Sequence, residues 1–402
     1  MSKEALMPWK ETCAVDERLL MITEYRRGEA SVSELCRRYG VSRKTGHKWI
    51  ARFEEEGVGG LLNRSHAPHN CEHRLDEALE REIILVRQDH PTWGPKKILS
   101  WLKANRKGQI WPALSTIGAV LDRAGLTVHR KRRSRIPASA PFGACSAAND
   151  VWTVDFKGWF RTGDGERCDP LTLKDAYSRY LLRCQAVERP DFEAVWPIFD
   201  AAFREFGLPK AMRSDNGPPF ASRSVGGLTR LSVRLIKAGV IPERIEPGKP
   251  QQNGRHERFH LTLKNETANP PAAHRRAQQQ RFDDFRQVYN EERPHEALGQ
   301  TPPLRHFTLS PRPYSGKLRT PDYPDCFEIR RVRHNGEIKW NGDMIFVSSV
   351  LAGENVGCEE TEDGKWLLHY GPVKLGILHR GELRVPRRAP RGRSERAAAL
   401  PA

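Results

Sequence analysis

Strand-like and helix-like segments alternate between residues 149 and 292, and this alternation constrains the fold more than any other feature of the sequence. Three β-like runs come first, in DVWTVDFKGWF, RCDPLTLKDAYS and YLLRCQAVE. A helical stretch at roughly 191–206 follows, where we expect Pro197 to introduce a kink. Shorter strand-like runs, KAMRSDNG and PERIEP, then alternate with helical stretches. The pattern predicts a mixed α/β domain over residues 149–309.

The charge balance indicates what kind of partner the protein has. The 402 residues include 67 Lys and Arg against 50 Asp and Glu, which gives a formal net charge of +17. Such an excess favours nucleic acid or an anionic membrane as the partner. Because no long apolar run and no signal-peptide core are present, we expect nucleic acid and a soluble intracellular protein. The length predicts two to four domains.

Residues 1–62 show the pattern of a helix-turn-helix module. Two short helical stretches are joined by a turn in which Gly40 stops the first helix and Ser42 caps the second. The apolar residues of the second helix predict an outward-facing polar and basic surface. Its members are Arg43, Lys44, His47 and Lys48. A solvated basic face on a small helical bundle is the alternative, but the Gly-turn-Ser pattern favours DNA binding.

Residues 75–128 resemble a second helix-turn-helix module, in which Ser115 is the predicted N-cap of the last helix. A basic linker over 129–148 follows, beginning with HRKRRSR. A solvated charge run is one interpretation of this linker, but its place between two domains favours contact with DNA phosphates. The predicted contact residues are Arg130, Lys131, Arg132 and Arg133.

The 8 cysteines lie far apart without a CxxC pair, which favours reduced and mostly buried thiols over disulfides or a zinc ribbon. One group of possible zinc ligands crowds into HAPHNCEH, as His66, His69, Cys71 and His73. Zinc sites usually draw ligand pairs from separate elements. We therefore favour a linker here and leave metal binding as the alternative.

The residue pattern changes again in the C-terminal part of the chain. A Pro-rich stretch over 310–324 reads as a second linker. Residues 325–385 then alternate apolar and polar side chains between Asn-Gly and Asp-Gly turns, which predicts a small all-β, barrel-like domain. The tail over 386–402 is basic, and its composition predicts disorder.

Three carboxylates stand out in the α/β segment. Asp155 interrupts the apolar run VWTVDF, where a charge is costly unless it is paired or bound to a metal. Asp215 ends a strand-like run before Asn216-Gly217, and strand ends are where sites assemble in open α/β sheets. Glu257 lies at the start of a helical stretch. A surface carboxylate that balances the neighbouring arginines is the alternative for Glu257.

These carboxylates suit a hard divalent cation such as Mg²⁺, which prefers carboxylate and phosphate oxygens. Two such ions about 3.5–4 Å apart can activate an attacking oxygen and stabilise the leaving one in phosphodiester displacement. Nearby polar and basic residues would then contact DNA. We name Lys249, Asn253, Arg255 and Arg258 for this role.

Residues 149–300 resemble the catalytic core of DDE transposases and retroviral integrases. The resemblance is carried by VWTVDF, RSDNGPPF, GKPQQNGRHERFHLTLKNE and YNEERPHEALGQTPP, which look like the bacterial insertion-sequence branch. The N-terminal modules and the β module also match that branch. The resemblance implies an RNase H-like core in which Asp155, Asp215 and Glu257 form a catalytic triad that binds two Mg²⁺ or Mn²⁺ ions.

Two departures from the family pattern affect what we expect. The interval from Asp215 to Glu257 is longer than in many relatives. We therefore expect the geometry of the intervening loop to differ, but not the triad itself. The zinc-binding domain of retroviral integrases is absent, and helix-turn-helix modules stand in its place, so we expect these modules to bind transposon ends. Asp175 lies in a β-like run near the site, but its match in the family is not a triad member, and we favour a structural or turn role.

The sequence therefore predicts a multidomain protein with N-terminal all-α helix-turn-helix modules, a central α/β RNase H-like catalytic core and a small β-barrel-like module. We expect a DNA transposase that acts as a homo-oligomer on double-stranded DNA in the bacterial cytoplasm, associated with the nucleoid. Two alternatives stay open: a non-catalytic DNA-binding regulator derived from a transposase, and a plain RNase H-like nuclease. The presence of all three carboxylates disfavours the former, and the DNA-binding modules disfavour the latter.

Overall fold

The computed structural model describes residues 13–64, 75–127, 145–222, 224–245, 254–361, 364–379 and 382–385. The chain forms two compact units, Met1–Arg74 and Leu75–Ala402. Across the described ranges, no helix combines the length and apolar character needed to cross a membrane. Several predicted features lie outside the described residues. They are the HAPHNCEH cluster with His66, His69, Cys71 and His73, the basic residues Arg130, Lys131, Arg132 and Arg133, and the tail 386–402.

The described part of the first unit contains three α-helices, and the turn between the second and third follows the predicted Gly40 stop and Ser42 cap. Ser31 begins the second helix with a capping box to Glu34. Gly40, at φ 66°, supplies the left-handed residue that follows this helix. Ser42 accepts a hydrogen bond from the backbone N–H of Thr45 at 3.2 Å and so caps the third, as predicted. The helices are α1 (Ala14–Arg26), α2 (Val32–Arg38) and α3 (Arg43–Glu56).

A small apolar core holds these helices together. Trp49 and Ile50 of α3 are buried against Ile22 and Leu35 of the other two helices. Gly46 faces α2 so closely that a Cβ atom built on it would lie 2.3 Å from Sγ of Cys36. The missing side chain at this position therefore permits the close approach of α2 and α3.

The second unit begins with three more helices around a core that includes Trp93, Ile98 and Ile117. The prediction that Ser115 caps the last of them is wrong, because the helix begins at Leu114, two residues earlier than predicted, and Ala113 occupies the N-cap position. Val288, from a later helix of the α/β segment, packs against the same cluster. The helices are α4 (Glu77–Asp89), α5 (Pro95–Asn105) and α6 (Leu114–Arg123).

A six-stranded mixed sheet forms the centre of the second unit. Its strands are β1 (Val151–Phe156), β2 (Phe160–Arg161), β3 (Arg167–Asp175), β4 (Leu181–Val187), β5 (Ala211–Ser214) and β6 (Ile241–Arg244). Strand β3 pairs antiparallel with β1, β2 and β4, whereas β1, β5 and β6 pair in parallel. Strand β1 thus lies in the middle, and the mixed α/β prediction is confirmed for this segment.

Helices cover both faces of the sheet. They are α7 (Phe192–Phe206), α8 (Arg230–Lys237), α9 (Gly254–Thr267) and α10 (Arg275–Glu291). Trp152 and Val154 of β1 share one apolar cluster with residues of α7 and α8, and α7 continues through Pro197 as a single helix. Residues of α9 and α10 pack against β3 and β4 in a separate cluster. Side chains of β1 alternate between the two faces of the sheet. Trp152 and Val154 face the main apolar core, so the residues that alternate with them face α9.

The Pro-rich stretch over 310–324 packs along the catalytic core. The hydroxyl of Tyr314 donates to Asp200 of α7 at 2.9 Å, and the guanidinium of Arg312 donates to the carbonyl of Pro209 at 2.7 Å. The connection to the β module is therefore an extended segment held by specific contacts.

The C-terminal module consists of short antiparallel strands, as predicted. Its strands are β7 (Glu328–Arg331), β8 (Glu337–Trp340), β9 (Asp343–Phe346), β10 (Asn355–Glu360), β11 (Trp366–Tyr370), β12 (Val373–His379) and β13 (Glu382–Arg384). The sheet order is β13-β12-β11-β10-β7, and β8 and β9 form a separate hairpin. That hairpin turns at Asn341 and Gly342, which both have positive φ. A closed, barrel-like arrangement stays a prediction.

The described cysteines are thiols rather than disulfides. Cys36, Cys168, Cys184 and Cys358 are buried, whereas Cys13 and Cys326 are exposed. The prediction of reduced, mostly buried cysteines is thus confirmed for the described part of the chain.

Candidate active site on the central sheet

Asp155 lies near the end of β1 on the face that α9 covers. It is 9% exposed, and its cross-strand neighbour on β3 is Thr172. Because strand side chains alternate, Thr153 and Asp155 share one face of β1 while Val154 points into the apolar core on the other. Asp155 is therefore a buried carboxylate on the α9 side of the sheet.

Asp215 follows directly after β5, the parallel neighbour of β1. In the paired part of these strands Thr153 aligns with Arg213. Asp155 and Asp215 each come two residues after this pair, and neighbouring strands are about 4.8 Å apart. Burial raises the pKa of Asp215, and the charge of Asp155 raises it further. The two strand-end carboxylates are therefore close enough to interact electrostatically.

The backbone after β5 holds Asp215 in a tight turn. The N–H of Gly217 donates to Oδ1 of Asp215 at 3.1 Å. A Cβ atom on Gly217 would lie 3.0 Å from Oδ2 of the same carboxylate, so a side chain here would crowd Asp215. Asn216 donates to the carbonyl of Ile245 at 2.8 Å and ties the turn to the end of β6. The Asp-Asn-Gly sequence thus builds a compact support for the carboxylate.

Glu257 lies in the first turn of α9 and is exposed. Its neighbour His256 points the other way, to the sheet, and is 5% exposed. The helix turn that carries Glu257 is therefore anchored beside Asp155, although the carboxylate of Glu257 lies on the solvent side. The convergence of Glu257 with the two aspartates stays a prediction.

His256 and His260 connect α9 to the strands around Asp155. Nδ1 of His256 lies 3.5 Å from Oδ2 of Asp155, and its Nε2 lies 2.7 Å from the hydroxyl of Thr153. Nε2 of His260 lies 3.0 Å from the hydroxyl of Thr172. A ring nitrogen of each histidine and a carboxylate oxygen of Asp155 all lie within 4.8 Å of one another.

Burial disfavours the charged form of both imidazoles. It lowers the pKa of His256, although the neighbouring Asp155 acts in the opposite direction. Burial also lowers the pKa of His260 to about 3. Lys174, on β3, contributes to the lowering at both rings, and its ammonium group lies 4.1 Å from the ring centre of Phe259. Neutral rings of this kind offer lone pairs as well as N–H donors.

The sequence analysis named His256 and His260 only as neighbours of Glu257 and assigned them no part in the site. Their spacing was the available signal, because residues four apart lie on one face of a helix. A histidine pair at that spacing, beside a predicted buried aspartate, would have indicated that this face meets β1.

Asp175 has a structural role, as expected. It is fully buried and accepts hydrogen bonds from the backbone and the hydroxyl of Ser178, at 2.7 and 2.6 Å. It also accepts one from the backbone of Asn149, at 2.8 Å. These bonds fix the turn after β3 and the entry to β1.

The residues predicted to contact DNA fall into two groups. The outward face of α3 is confirmed as exposed, with Arg43, Lys44, His47 and Lys48, and Arg258 of α9 is exposed as well. Lys249 and Asn253 lie outside the described residues, as does the side chain of Arg255. Contact of any of these residues with DNA stays a prediction.

His295 supports packing. Its ring lies edge-on to Tyr289 of α10, with ring centres 4.7 Å apart, and burial lowers its pKa to about 3. Its backbone N–H donates to the carbonyl of Thr301. These contacts support a packing role for His295.

Family models match two parts of this architecture, residues 17–121 and residues 146–303. Models of the Integrase core domain match residues 146–250 and 238–303. A Helix-turn-helix domain matches residues 17–69, and a Homeodomain-like domain matches residues 45–121. These matches cover α1 to α3, the three helices of the second module and the central sheet.

Two curated relatives come from insertion elements. The chain is 26% identical over 257 residues to the Insertion element IS476 uncharacterized 39.2 kDa protein of Xanthomonas euvesicatoria, covering 63% of this chain and 70% of that protein. It is 32% identical over 212 residues to the Insertion element IS407 uncharacterized 31.7 kDa protein of Burkholderia multivorans, covering 51% of this chain and 70% of that protein.

Solved integrase structures are also similar to the chain. The HTLV-2 integrase catalytic core domain in complex with magnesium has 15% identity and a TM-score of 0.32, covering 40% of this chain and 99% of that chain. The simian T-cell lymphotropic virus intasome in complex with PP2A regulatory subunit B56 gamma has 14% identity and a TM-score of 0.36, covering 76% and 100%. The integrase-core matches and the IS407 relative together show that the chain belongs to the family of insertion-element DNA transposases with an integrase-type core.

Proposed function

We propose that this transposase hydrolyses a phosphodiester at its element ends and joins the freed 3′-OH to target DNA, with Asp155, Asp215 and Glu257 as metal ligands. The observation that carries the proposal is the parallel register of β1 and β5, which pairs Thr153 with Arg213, two residues before Asp155 and Asp215. Glu257 would be the third ligand, from the first turn of the helix anchored beside Asp155.

The chemistry of these donors fits Mg²⁺ or Mn²⁺. Carboxylate oxygens are the ligands that hard divalent cations prefer, and a cation between Asp155 and Asp215 would offset the repulsion that raises the pKa of Asp215. Two such ions, when bound, activate the attacking oxygen and stabilise the leaving oxygen. The same three carboxylates would serve both hydrolysis and joining.

The chain's own residues would orient these ligands. The N–H of Gly217 holds Oδ1 of Asp215, and His256 and Thr172 fix the surroundings of Asp155. Because these supporting groups are themselves buried or hydrogen-bonded, the two aspartates are held in place before DNA arrives. Glu257 is exposed, so DNA and metal can reach it.

DNA would be held by the exposed basic residues. The face of α3 with Arg43, Lys44, His47 and Lys48 would bind the element ends. Arg258 would contact phosphates near the site, together with Lys249, Asn253 and Arg255 and the linker residues Arg130, Lys131, Arg132 and Arg133. We infer that the protein acts as a homo-oligomer on DNA, because two element ends must be joined to one target.

The test compares Asp155→Asn, Asp215→Asn and Glu257→Gln with the unmodified protein, using labelled element-end DNA and Mg²⁺. Each change keeps the side-chain volume but removes the charge that a hard cation requires. We expect nicking and joining to fall together by more than about 100-fold, since even outer partners of metal ligands cost about 10–100-fold. End binding, measured by gel shift, should persist.

The matched control is Asp284→Asn, an exposed carboxylate on α10 that accepts a hydrogen bond from the side-chain amide of Gln280 at 3.0 Å. It should cleave and join normally. For Glu257→Gln we also expect less than about 1 kcal/mol change in the free energy of unfolding, because the side chain is exposed. Near-normal cleavage by Glu257→Gln would return that residue to a surface role. End binding without cleavage by the unmodified protein would favour a DNA-binding regulator.

A further inference from the structure

One exposed tryptophan lies just beyond the strand that carries Asp155. Trp159 is 55% exposed, whereas every other tryptophan that the structure describes is buried or half-buried. The next residue, Phe160, packs against the apolar cluster of β3, β4, α9 and α10. Because neighbouring strand residues point to opposite faces, the indole of Trp159 points away from that cluster. The ring is therefore accessible to a partner.

Two guanidinium groups lie beside the indole ring. The guanidinium carbon of Arg167 lies 5.2 Å from the ring centre of Trp159, and that of Arg161 lies 5.8 Å from it. The two arginines face each other across the β2–β3 pair, and both are exposed. Arg161 donates to the carbonyl of Gly165 at 2.7 Å. Arg167 pairs with Asp169 at 3.1 Å. An arginine has five N–H donors, so these bonds orient the two groups and leave donors for phosphate oxygens.

Two lysines extend the basic surface around Trp159. Lys157 is half-buried, and Lys264 of α9 is exposed. Burial lowers the pKa of Lys157, and the charge of Lys264 lowers it further, so the two ammonium groups lie near each other. The acidic groups of the same hairpin have partners: Asp164 accepts hydrogen bonds within the turn, and Glu166 lies 3.8 Å from Arg275. The resulting excess of positive charge fits a partner that carries phosphates.

Trp159 lies close to the carboxylates proposed as metal ligands. It follows Asp155 by four residues, and a fully extended chain of that length spans at most about 14 Å. The segment is held near the sheet, because the N–H of Lys157 donates to the carbonyl of Pro170 at 3.0 Å and Gly158, at φ 90°, turns the backbone. DNA rises about 3.4 Å per nucleotide along each strand. A phosphodiester held at Asp155 therefore lies within about four nucleotides of Trp159.

We propose that Trp159 is a stacking site for an unpaired base of the element end, and that Arg161 and Arg167 bind phosphates of the same strand. Every base has a π face, so an aromatic side chain can stack on an unpaired base of any identity, and one such stack changes affinity by about 5–100-fold. The guanidinium groups beside the ring match the charge and geometry of phosphate.

The element end is the favoured occupant of this site. It lies at the carboxylates during both hydrolysis and joining, whereas target DNA is needed only for joining. This assignment rests on the proposed function. Stacking of a base on Trp159 does not require catalysis, so the two proposals are tested by separate measurements.

The test measures binding of the full-length chain to three duplexes with the element-end sequence, by fluorescence anisotropy in Mg²⁺-free buffer. The first duplex is fully paired, and the second has mismatches at its last four positions. The third has abasic sites at those positions, which remove the bases and keep the phosphates. We expect the unmodified protein to bind the mismatched duplex about 5–100-fold more tightly than the abasic one. Trp159→Ala should bind these two duplexes equally.

Further variants separate stacking from other roles of the tryptophan. Trp159→Phe keeps a π face and should keep most of the preference for the mismatched duplex. Trp159→Leu keeps apolar volume without a π face and should lose it, so this variant decides the result if Trp159→Ala fails to fold. Arg161→Gln should weaken binding to the mismatched and abasic duplexes equally, because it removes a phosphate contact. Melting curves check that each variant is folded.

The matched control is Tyr177→Ala. Tyr177 is an exposed aromatic residue in the turn after β3, and the N–H of its neighbour Ala176 donates to Val151 at the start of β1, the opposite end of that strand. The variant should bind all three duplexes as the unmodified protein does.

Equal affinity of the unmodified protein for the mismatched and abasic duplexes would overturn the proposal, as would an unchanged preference in folded Trp159→Leu. A duplex with its mismatches at the centre represents distorted target DNA. If it shows the same Trp159-dependent preference over its abasic form, the site belongs to target DNA and the assignment to the element end is wrong. Failure of the cleavage test with a normal Trp159-dependent preference would reject the proposed function alone.

Discussion

The two helix-turn-helix modules have similar sequence patterns but use their basic residues differently. In the first module, the outward face of α3 is exposed, with Arg43, Lys44, His47 and Lys48. In the second module, several polar and basic groups contact the catalytic core. Lys96 pairs with Glu296 at 3.2 Å, and the hydroxyl of Thr92 donates to Glu266 of α9.

The contact between the second module and the core is partly buried. His90 stacks on Trp93 with ring centres 3.8 Å apart, and its Nε2 lies 3.8 Å from Glu292. Burial lowers the pKa of Lys97 to about 8, and the charge of Arg293 contributes to the lowering. Arg293 itself pairs with Glu266 at 2.5 Å and is 7% exposed at its side chain.

This difference shows that a helix-turn-helix pattern does not by itself identify a DNA-binding surface. The first module keeps its basic face in solvent, where phosphates can displace water and counterions. In the second module, part of the polar surface contacts the α/β core and is not free to bind phosphates in the same way. We therefore expect the first module to supply most of the phosphate contacts and the second to contribute mainly to stability.

The largest expected effect concerns DNA binding by the first module. Replacing Arg43, Lys44 and Lys48 with Ala should weaken binding to element ends by about 10²–10³-fold near 0.1 M salt. The salt slope should fall by about 2.7, because each lost phosphate contact removes about 0.9. Fluorescence anisotropy across a salt series measures both quantities.

The matched change in the second module is replacement of the exposed Lys96, Lys103 and Lys107 with Ala. We expect a smaller loss of affinity and a smaller change in slope than in the first module. An equal or larger effect would contradict the comparison and move phosphate recognition to residues 75–127.

The next effect concerns the buried contact between the second module and the core. Glu266→Ala would leave the buried guanidinium of Arg293 without this partner, which should lower the free energy of unfolding by about 3 kcal/mol. Urea denaturation measures this change in the free energy of unfolding, from the unfolding transition of the second unit. Glu296→Ala removes an exposed pair with Lys96 and should cost less than about 1 kcal/mol. Similar losses in the two variants would show that the buried pair contributes no more than a surface pair.

The smallest effect is the pH dependence that Lys97 confers. Its pKa is about 8 in the folded chain and 10.5 ordinarily, so between these values the unfolded state binds the proton more fully. Stability must then rise with pH across this window. After allowance for the partial exposure of Lys97, the free energy of unfolding should rise by about 2 kcal/mol across this window.

Lys97→Met should remove that rise and stabilise the protein by about 2 kcal/mol at pH 7, where the charged lysine is disfavoured by burial. The measurement is the difference between the variant and the unmodified protein in urea denaturation from pH 7 to 10.5. Lys96→Met is the control, because Lys96 is exposed and should leave the pH profile unchanged. A wild-type profile in Lys97→Met would contradict the assignment.

Local sequence signals determined much of what the structure shows. The Gly40 stop and the Ser42 cap define the turn between α2 and α3, because they satisfy helix-end backbone groups within a few residues. The Asn341-Gly342 turn and the alternating strands on either side of it were likewise predicted from neighbouring residues alone. The carboxylate in VWTVDF stood out in the sequence, since a charge in an apolar strand is costly unless it is paired or bound to a metal.

Tertiary structure alone decided how distant elements meet. Ser115 was misplaced as a cap because N-caps depend on where the chain enters the helix, and packing moved that point by two residues to Ala113. The docking of the second module depends on Arg293 and Glu266, which come from elements far away in sequence. The exposure of Glu257 and the burial of His256 likewise depend on how α9 rotates against β1. The sequence supplied the ligand types and their spacing, but only the packed sheet determines which side chains face Asp155, because burial is a property of the assembled elements.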